Sequence, residues 1–275
     1  MCRLFAVRAS RPTRFGGSLL SAPHSLVTQS CCDREEKACH QDGWGIGYYE
    51  DGEVRRVRST KAAAGDPEYK KLAESVAAQT LVAHVRRASS GSIAIQNSHP
   101  FTSGRWAFAH NGNLGGFAAG RDQLLSQIPS QLRDRIEGQT DSEHAFFFVL
   151  AAVEKATGTL DRIRDPRAAA RAMAGAIDEL SRLFPGNDKE PSQFNFVLTD
   201  GQTLLASRWG HSLSWLTRHG TSSGSPDEPM DGATAVVVAS EPTSSERWQE
   251  VPERALLWVA PDFGTELIRL SGHAA

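Results

Sequence analysis

The chain lacks any apolar run approaching the roughly 18 residues that a membrane-spanning helix needs, and its first residues lack the basic-then-apolar pattern of a secretory signal. These two absences give the expectation of a cytoplasmic protein with no membrane partner. A dominant charge is lacking too: 30 Lys and Arg stand against 32 Asp and Glu, for a net charge of −2. Without a basic stripe there is no electrostatic footprint for nucleic acid, and small-molecule chemistry is the expectation that remains. Cysteine is scarce, with four in 275 residues: Cys2, Cys31, Cys32 and Cys39. In a reducing cytosol these are thiols, not a disulfide framework. Cys31, Cys32, Cys39 and His40 invite a metal reading, but adjacent cysteines miss the C-x₂₋₄-C spacing by which two thiolates reach one tetrahedral ion. Loop thiols are expected, with no metal and no cofactor.

What is present can bury a large core, at 40% hydrophobic and 23% charged. Short β-like runs bounded by Gly, Asp or Asn fall at 3–7, 44–49, 54–58, 80–85, 106–110, 194–199, 203–207, 213–217, 234–239, 255–260 and 266–270. Tight turns at Glu50-Asp51-Gly52 and Asp200-Gly201 join neighbours as antiparallel hairpins. Helices are announced by their caps. Asp66-Pro67 and Asp165-Pro166 each place an N-cap acid before a first-turn proline, and Thr140-Asp141-Ser142-Glu143 is a capping box. The expected helices are 67–79, 123–132 interrupted by Pro129, 141–155 and 166–184. The third, with Phe146, Phe147, Phe148, Val149 and Leu150, is apolar nearly all round and therefore buried. Strands in this number with helices inserted in blocks point to an α+β layered fold. With no internal repeat and no second linker, residues 1–275 are expected to form one domain, carrying a mobile surface loop at 219–232 rich in Gly, Ser, Pro and acids.

Cys2 is the chemical focus. Once methionine is removed it is residue one, and a thiol nucleophile then sits beside its own α-amine. That amine has an unperturbed pKa of about 7.7–8.0, suited to general-base work where a lysine at about 10.4 is not. Further along, Leu81 to Gly91 reads as a strand ending in a loop of small residues that carries Arg86, whose guanidinium can hold a carboxylate through two parallel hydrogen bonds. A strand at Trp106 to His110 empties into Asn111-Gly112, an amide and an unhindered N–H able to face an oxyanion. Asp141 stands in the first turn of the buried helix, where the helix N-terminus stabilises a carboxylate. Each has an ordinary reading as well: an Asn-Gly hairpin turn, a solvated Arg, a capping-box acid.

Their order decides between these readings. Cys2, then Ala83-His84-Val85-Arg86, His99-Pro100-Phe101, His110-Asn111-Gly112 and Thr140-Asp141-Ser142-Glu143 resembles the class II glutamine amidotransferases, members of the N-terminal-nucleophile hydrolases. The likeness extends through Asp42-Gly43-Trp44-Gly45-Ile46-Gly47 to Ala239-Ser240-Glu241-Pro242. It implies a four-layer α/β/β/α sandwich of two antiparallel sheets. It also implies Cys2 as nucleophile and base, Asn111 and Gly112 as oxyanion hole, Arg86 as clamp on the substrate α-carboxylate and Asp141 as partner of its α-ammonium. His99 is counted with the substrate-binding residues. Many members carry Trp after the arginine and Thr-His before the glycine; Arg87, Ser89 and Ser90 stand here, so the pocket wall is where this chain departs.

The implied reaction is hydrolysis of the γ-amide of glutamine or a γ-glutamyl amide through a thioester, as in the stand-alone γ-glutamyl hydrolase of ergothioneine biosynthesis. Only residues 271–275 follow the last expected strand, so no ammonia-accepting domain is expected in this chain. Two alternatives stay open: a glutaminase subunit delivering ammonia to a separate synthase, and a non-catalytic γ-glutamyl-binding module.

Overall fold

A computed structural model of the chain describes residues 2–35, 37–161, 163–220 and 232–271. Its strands are β1 (Arg3–Arg14), β2 (Trp44–Glu50), β3 (Glu53–Ser59), β4 (Ala77–Val85), β5 (Phe101–Ser103), β6 (Trp106–Asn111), β7 (Asn195–Thr199), β8 (Leu204–Arg208), β9 (Ser214–His219), β10 (Thr234–Ala239), β11 (Gln249–Glu250), β12 (Ala255–Val259) and β13 (Thr265–Arg269). The helices are α1 (Leu26–Cys31), α2 (Pro67–Ser75), α3 (Phe117–Ser126), α4 (Ser130–Arg133), α5 (Asp141–Thr157) and α6 (Pro166–Leu183). One sheet runs in the order β11-β9-β10-β1-β4-β2-β3 and the other β13-β12-β8-β7-β6-β5, with antiparallel pairing throughout. No helix among the described residues is long and apolar enough to cross a membrane.

Period-2 alternation in β1 shows why the layers form. Leu4 and Ala6 face the second sheet, packing with Val82, Val236 and Val238 of their own sheet and Val197, Ala206 and Leu257 of the other. Phe5, Val7 and Ala9 point to the opposite face, against Leu19, Leu26, Tyr69 and Ala73 around α1 and α2. The third core lies outside the second sheet, where α5 and α6 pack. Phe146 of α5 stacks on Phe108 of β6 with ring centroids 5.3 Å apart, and Met173, Ile177 and Leu180 form the buried stripe of α6. Each such side chain contributes about 1.5–3 kcal/mol by leaving water. The architecture is thus the expected α+β sandwich, helices outside two facing sheets.

Several elements differ in detail from the sequence expectation. Helix α2 stops at Ser75 because Ala77 and Ala78 pair with Arg14 and Thr13, so ladder bonds override a helical pattern reaching Gln79. β1 continues to Arg14 through an irregularity between Arg8 and Thr13. The capping box is half realised: Thr140 Oγ1 accepts from the Glu143 N–H at 3.2 Å, but the Glu143 carboxylate takes the N–H groups of Glu137 and Gly138 instead of returning to the cap. The expected loop at 219–232 lies mostly outside the described residues; His219 ends β9 and the Gly220 N–H donates to the Ala233 carbonyl.

The glycines of β2 hold the site's supporting layer. A Cβ at Gly45 would stand well inside contact distance of the His99 carbonyl oxygen, and one at Gly47 would meet Pro100 Cγ at 2.9 Å. The His99-Pro100 backbone therefore lies directly on β2. Gly45→Ala is expected to destabilise by about 3 kcal/mol or more, since two backbones must separate. Exposed Gly175 in α6 has open space where its Cβ would go, so Gly175→Ala is expected to stabilise by about 0.5–1 kcal/mol. Thermal melting of both variants checks the contrast, and a neutral Gly45→Ala would contradict the close approach.

Candidate active site

Strand directions gather the chemistry at one end of the sandwich. Cys2 precedes β1, whose Arg3 pairs with Val85 at the end of β4, and Val85 also pairs with Trp44 at the start of β2. From the facing sheet, β6 ends at Asn111 opposite Asn195, and α5 begins at Asp141 beside it. Cys2 Sγ lies 3.4 Å from both the N and the carbonyl oxygen of Arg87. Arg86, 3% exposed, donates through Nη2 to the Ser90 carbonyl at 2.9 Å and through Nη1 to that of Ser92 at 3.2 Å. Ser90 Oγ donates to Asp141 Oδ1 at 2.7 Å, and Asp141 Oδ2 accepts the Leu114 N–H at 2.7 Å, just past Asn111 and Gly112. Contacts thus link Cys2, through Arg86-Arg87 and Ser90, to Asp141 and on to Leu114, two residues past Gly112, at one end of the sandwich, called the mouth below. Asp42 braces it: its Oδ2 accepts the Ala88 N–H at 2.8 Å.

Two features suit the turn to an oxyanion. Gly112 has φ of +153°, and a Cβ there would clash with the Gln193 carbonyl and stand 2.7 Å from His110 Nε2. No acceptor among the described residues takes its N–H. The Asn111 amide is wholly buried, with Nδ2 3.5 Å from Ser240 Oγ and Oδ1 without a partner.

Burial pushes the Cys2 thiol above its ordinary pKa; the Arg87 backbone hydrogen bond and the charges of Arg86 and Arg3 pull the other way. Burial also lowers Arg86, which Cys2, Asp42 and Asp141 oppose. No carboxylate of the described residues forms an ion pair with Arg86.

Behind the mouth lies a cluster of neutral imidazoles. His110 Nε2 faces the Gln193 carbonyl at 2.8 Å and so carries the hydrogen, leaving Nδ1 to accept from Ser142 Oγ at 2.9 Å. His84 Nε2 likewise donates to the His110 carbonyl at 3.2 Å. His99 packs against His84 at 4.2 Å and Phe101 at 4.6 Å between ring centroids, and neither of its ring nitrogens has a partner. Its described contacts do not reach Cys2, Arg86, Asn111 or Asp141. Burial drives His84 down to about 3 and His99 well below the ordinary imidazole range.

Under Cys2 is a network that motif reasoning missed. Arg3, 0% exposed, donates through Nη1 to the Cys2 carbonyl at 3.0 Å, while Nη2 lies 2.8 Å from Asp33 Oδ1 and 3.2 Å from Glu241 Oε1. Glu241 also takes His24 Nε2 at 2.5 Å and the N–H groups of Arg34 and Glu35. The available signal was a charge set at the edge of otherwise apolar strands, Arg3 before Leu4-Phe5-Ala6-Val7 and Glu241 after β10. His40 Nε2 pairs with Asp33 Oδ2 at 2.8 Å rather than with the neighbouring cysteines. Cys31, Cys32 and Cys39 are exposed free thiols, Cys39 Sγ lying 2.7 Å from the Cys31 carbonyl oxygen. No group of three or more His, Cys, Asp or Glu among the described residues can hold a metal ion.

Residues 1–223 match the family model for class-II glutamine amidotransferases. The probable glutamine amidotransferase DUG3 of Saccharomyces cerevisiae is 30% identical over 94% of this chain and 82% of its own. The gamma-glutamyl-hercynylcysteine sulfoxide hydrolase of Mycolicibacterium smegmatis is 30% identical over 94% of this chain and 95% of its own. Among solved structures, a glutamine aminotransferase class-II domain protein from Silicibacter pomeroyi superposes with a TM-score of 0.62 at 22% identity, covering 98% of this chain and 99% of that one. Glutamine phosphoribosylpyrophosphate amidotransferase from B. subtilis gives 0.62 at 18%, covering 99% of this chain and 50% of that one. At those identities the structural likeness speaks for the fold.

The imidazole cluster makes stability depend on pH. An unfolded histidine titrates near 6.5 but His84 in the fold only near 3, so below about 6.5 the unfolded chain binds more protons and acid favours it. The His84 contribution is present above 6.5 and is lost as pH falls toward 3, amounting to about 2 kcal/mol by pH 5. The melting temperature is expected to drop between pH 7 and 5, with a shallower slope in His84→Gln, whose amide can still donate to the His110 carbonyl. Equal slopes would remove His84 as a cause.

Proposed function

The chain belongs to the class-II glutamine amidotransferases, and from that premise we propose that it hydrolyses the γ-amide of glutamine or a γ-glutamyl amide with Cys2 as nucleophile. The observation that carries the reading is one mouth shared by the buried thiol, a guanidinium with no described carboxylate partner, a free N–H at Gly112 and a helix-start carboxylate. Arg86 takes the substrate α-carboxylate through its remaining donors, and Asp141, with an acceptor position to spare, takes the α-ammonium. His99 backs the mouth through His84. The whole chain acts as one amidotransferase domain in the cytoplasm.

The chemistry begins once Met1 has been removed. The Cys2 α-amine takes the thiol proton as Sγ attacks the γ-carbonyl carbon, and the oxygen becomes an oxyanion held by the Asn111 amide and the Gly112 N–H. Collapse breaks the C–N bond while the ammonium returns the proton to the departing nitrogen, leaving a γ-glutamyl thioester. Water then attacks, the amine takes its proton, and collapse of the second tetrahedral species releases glutamate and regenerates the thiol.

Glutamate release from L-glutamine and a panel of γ-glutamyl amides tests this, on protein whose intact mass shows Cys2 at the N-terminus. Silence on every substrate would overturn it. Names among the relatives include both a hydrolase and amidotransferases; release that rises only when a second protein binds stoichiometrically would favour ammonia delivery. Cys2→Ala is expected to abolish turnover and keep substrate binding. Asn111→Ala is expected to lower kcat by about 10²–10³-fold.

Truncating one side of a desolvated charge pair costs about 2–5 kcal/mol, so Arg86→Ala and Asp141→Ala are each expected to lower kcat/KM about tenfold or more. Steady-state kinetics on the preferred substrate read this out, and a wild-type kcat/KM in either variant would remove that residue from the clamp.

A further inference from the structure

We infer that Ser240 is a positioning residue for the reaction proposed above, on which this inference rests: its hydroxyl orients the Asn111 amide and ties it to the strand that carries the nucleophile. Ser240 follows β10 and is 0% exposed, next to the sheet whose β1 Cys2 precedes, whereas Asn111 ends β6 in the facing sheet. Ser240 is bound on three sides. Its N–H donates to the Leu4 carbonyl at 3.0 Å, its Oγ accepts the Leu4 N–H at 3.0 Å, and its carbonyl accepts from Ser212 Oγ at 2.8 Å. The hydroxyl hydrogen is left over. Besides the Leu4 N–H, the one described hydrogen-bonding group within reach of Oγ is the Asn111 amide, 3.5 Å away at Nδ2.

Counting donors and acceptors favours one orientation of that amide. With Nδ2 toward Ser240, the hydroxyl hydrogen finds no acceptor and Asn111 Oδ1 stays buried and unpartnered. Each buried unpaired group costs about 1–3 kcal/mol. A half-turn about the Cβ–Cγ bond of Asn111 pairs the Ser240 hydroxyl with Oδ1 and concentrates the unmet hydrogen-bonding need on the two Nδ2 hydrogens, which then face away from Ser240. They are then available, beside the free Gly112 N–H, to an oxyanion. Because Ser240 also holds the first residues of β1, the donor and the nucleophile are fixed relative to one another through one hydroxyl. Nothing in the reaction requires Ser240 to touch substrate.

A role exercised through Asn111 predicts non-additive effects. Ser240→Ala is expected to lower kcat about tenfold or more while KM stays within about twofold, because an oxyanion donor acts on the transition state rather than on substrate binding. In the Asn111→Ala background the same change is expected to cost nothing further, and Ser240→Thr, which restores the hydroxyl, is expected to recover most of the loss. Where Ser240→Ala melts too low to assay, Ser240→Cys fills the space with a far weaker donor and gives the same reading. Multiplying effects in Ser240→Ala/Asn111→Ala, or an unchanged kcat in Ser240→Ala, would overturn the positioning role alone. A wild-type kcat in Asn111→Ala would overturn the oxyanion assignment and the Ser240 role with it.

Discussion

A fully buried guanidinium one residue from Cys2, the proposed nucleophile, is the constraint on which the candidate site depends. Removing Arg3 from water is tolerable only if its charge is met by carboxylates in good geometry. The chain supplies Asp33 and Glu241, with Glu35 at 3.4 Å. These partners come from different regions, the segment after α1 and the turn after β10, so one charge draws both against the start of β1. Arg3 returns the constraint to residue 2 by donating to the Cys2 carbonyl at 3.0 Å. Residue 2, at the very end of the chain once Met1 is gone, would otherwise have the freedom usual at termini.

The layered fold was legible because its signals are local. Eleven of the strands, from β1 to β13, follow from alternation and from turns such as Asp51-Gly52, where both residues take positive φ as the hairpin requires. Caps at Asp66, Thr140 and Asp165 mark helix starts within a residue. What escaped was set by partners far along the chain. β5 and β11 are two or three residues long and exist only because Trp106 to Phe108 and Ser214-Trp215 lie beside them. α1 has no apolar stripe long enough to announce itself, and is fixed by the Ser25 side chain accepting from the Thr28 N–H.

The candidate site divides in the same way. Cys2, Arg86, Asn111-Gly112 and Asp141 are residue types whose chemistry can be named from sequence order, and the fold places them at one mouth. Their supports carry no such signature. Ser90 bonds Asp141 Oδ1, and its carbonyl receives Arg86. One small residue thereby connects the two groups proposed to read the ends of a zwitterion. Serines at 90 and 240 stand in stretches that the sequence singles out, but what their hydroxyls bond is set only once both sheets are in place.

The electrostatics of the mouth argue for how the proton moves in the proposed mechanism. A buried thiol with raised pKa is protonated at rest, so attack needs a base within reach at that moment. The nearby imidazoles are poorly placed to serve. Both His110 nitrogens are engaged by Gln193 and Ser142, His84 is turned to the His110 carbonyl, and His99 is walled in by His84 and Phe101. The described hydrogen bonds of Cys2 Sγ go to the Arg87 backbone. Arg86 and Arg3 lower the cost of a thiolate but cannot accept a proton. Within the proposed mechanism that leaves the α-amine of Cys2, covalently held beside its own thiol, as the proposed base, and removal of Met1 is the step that would free it.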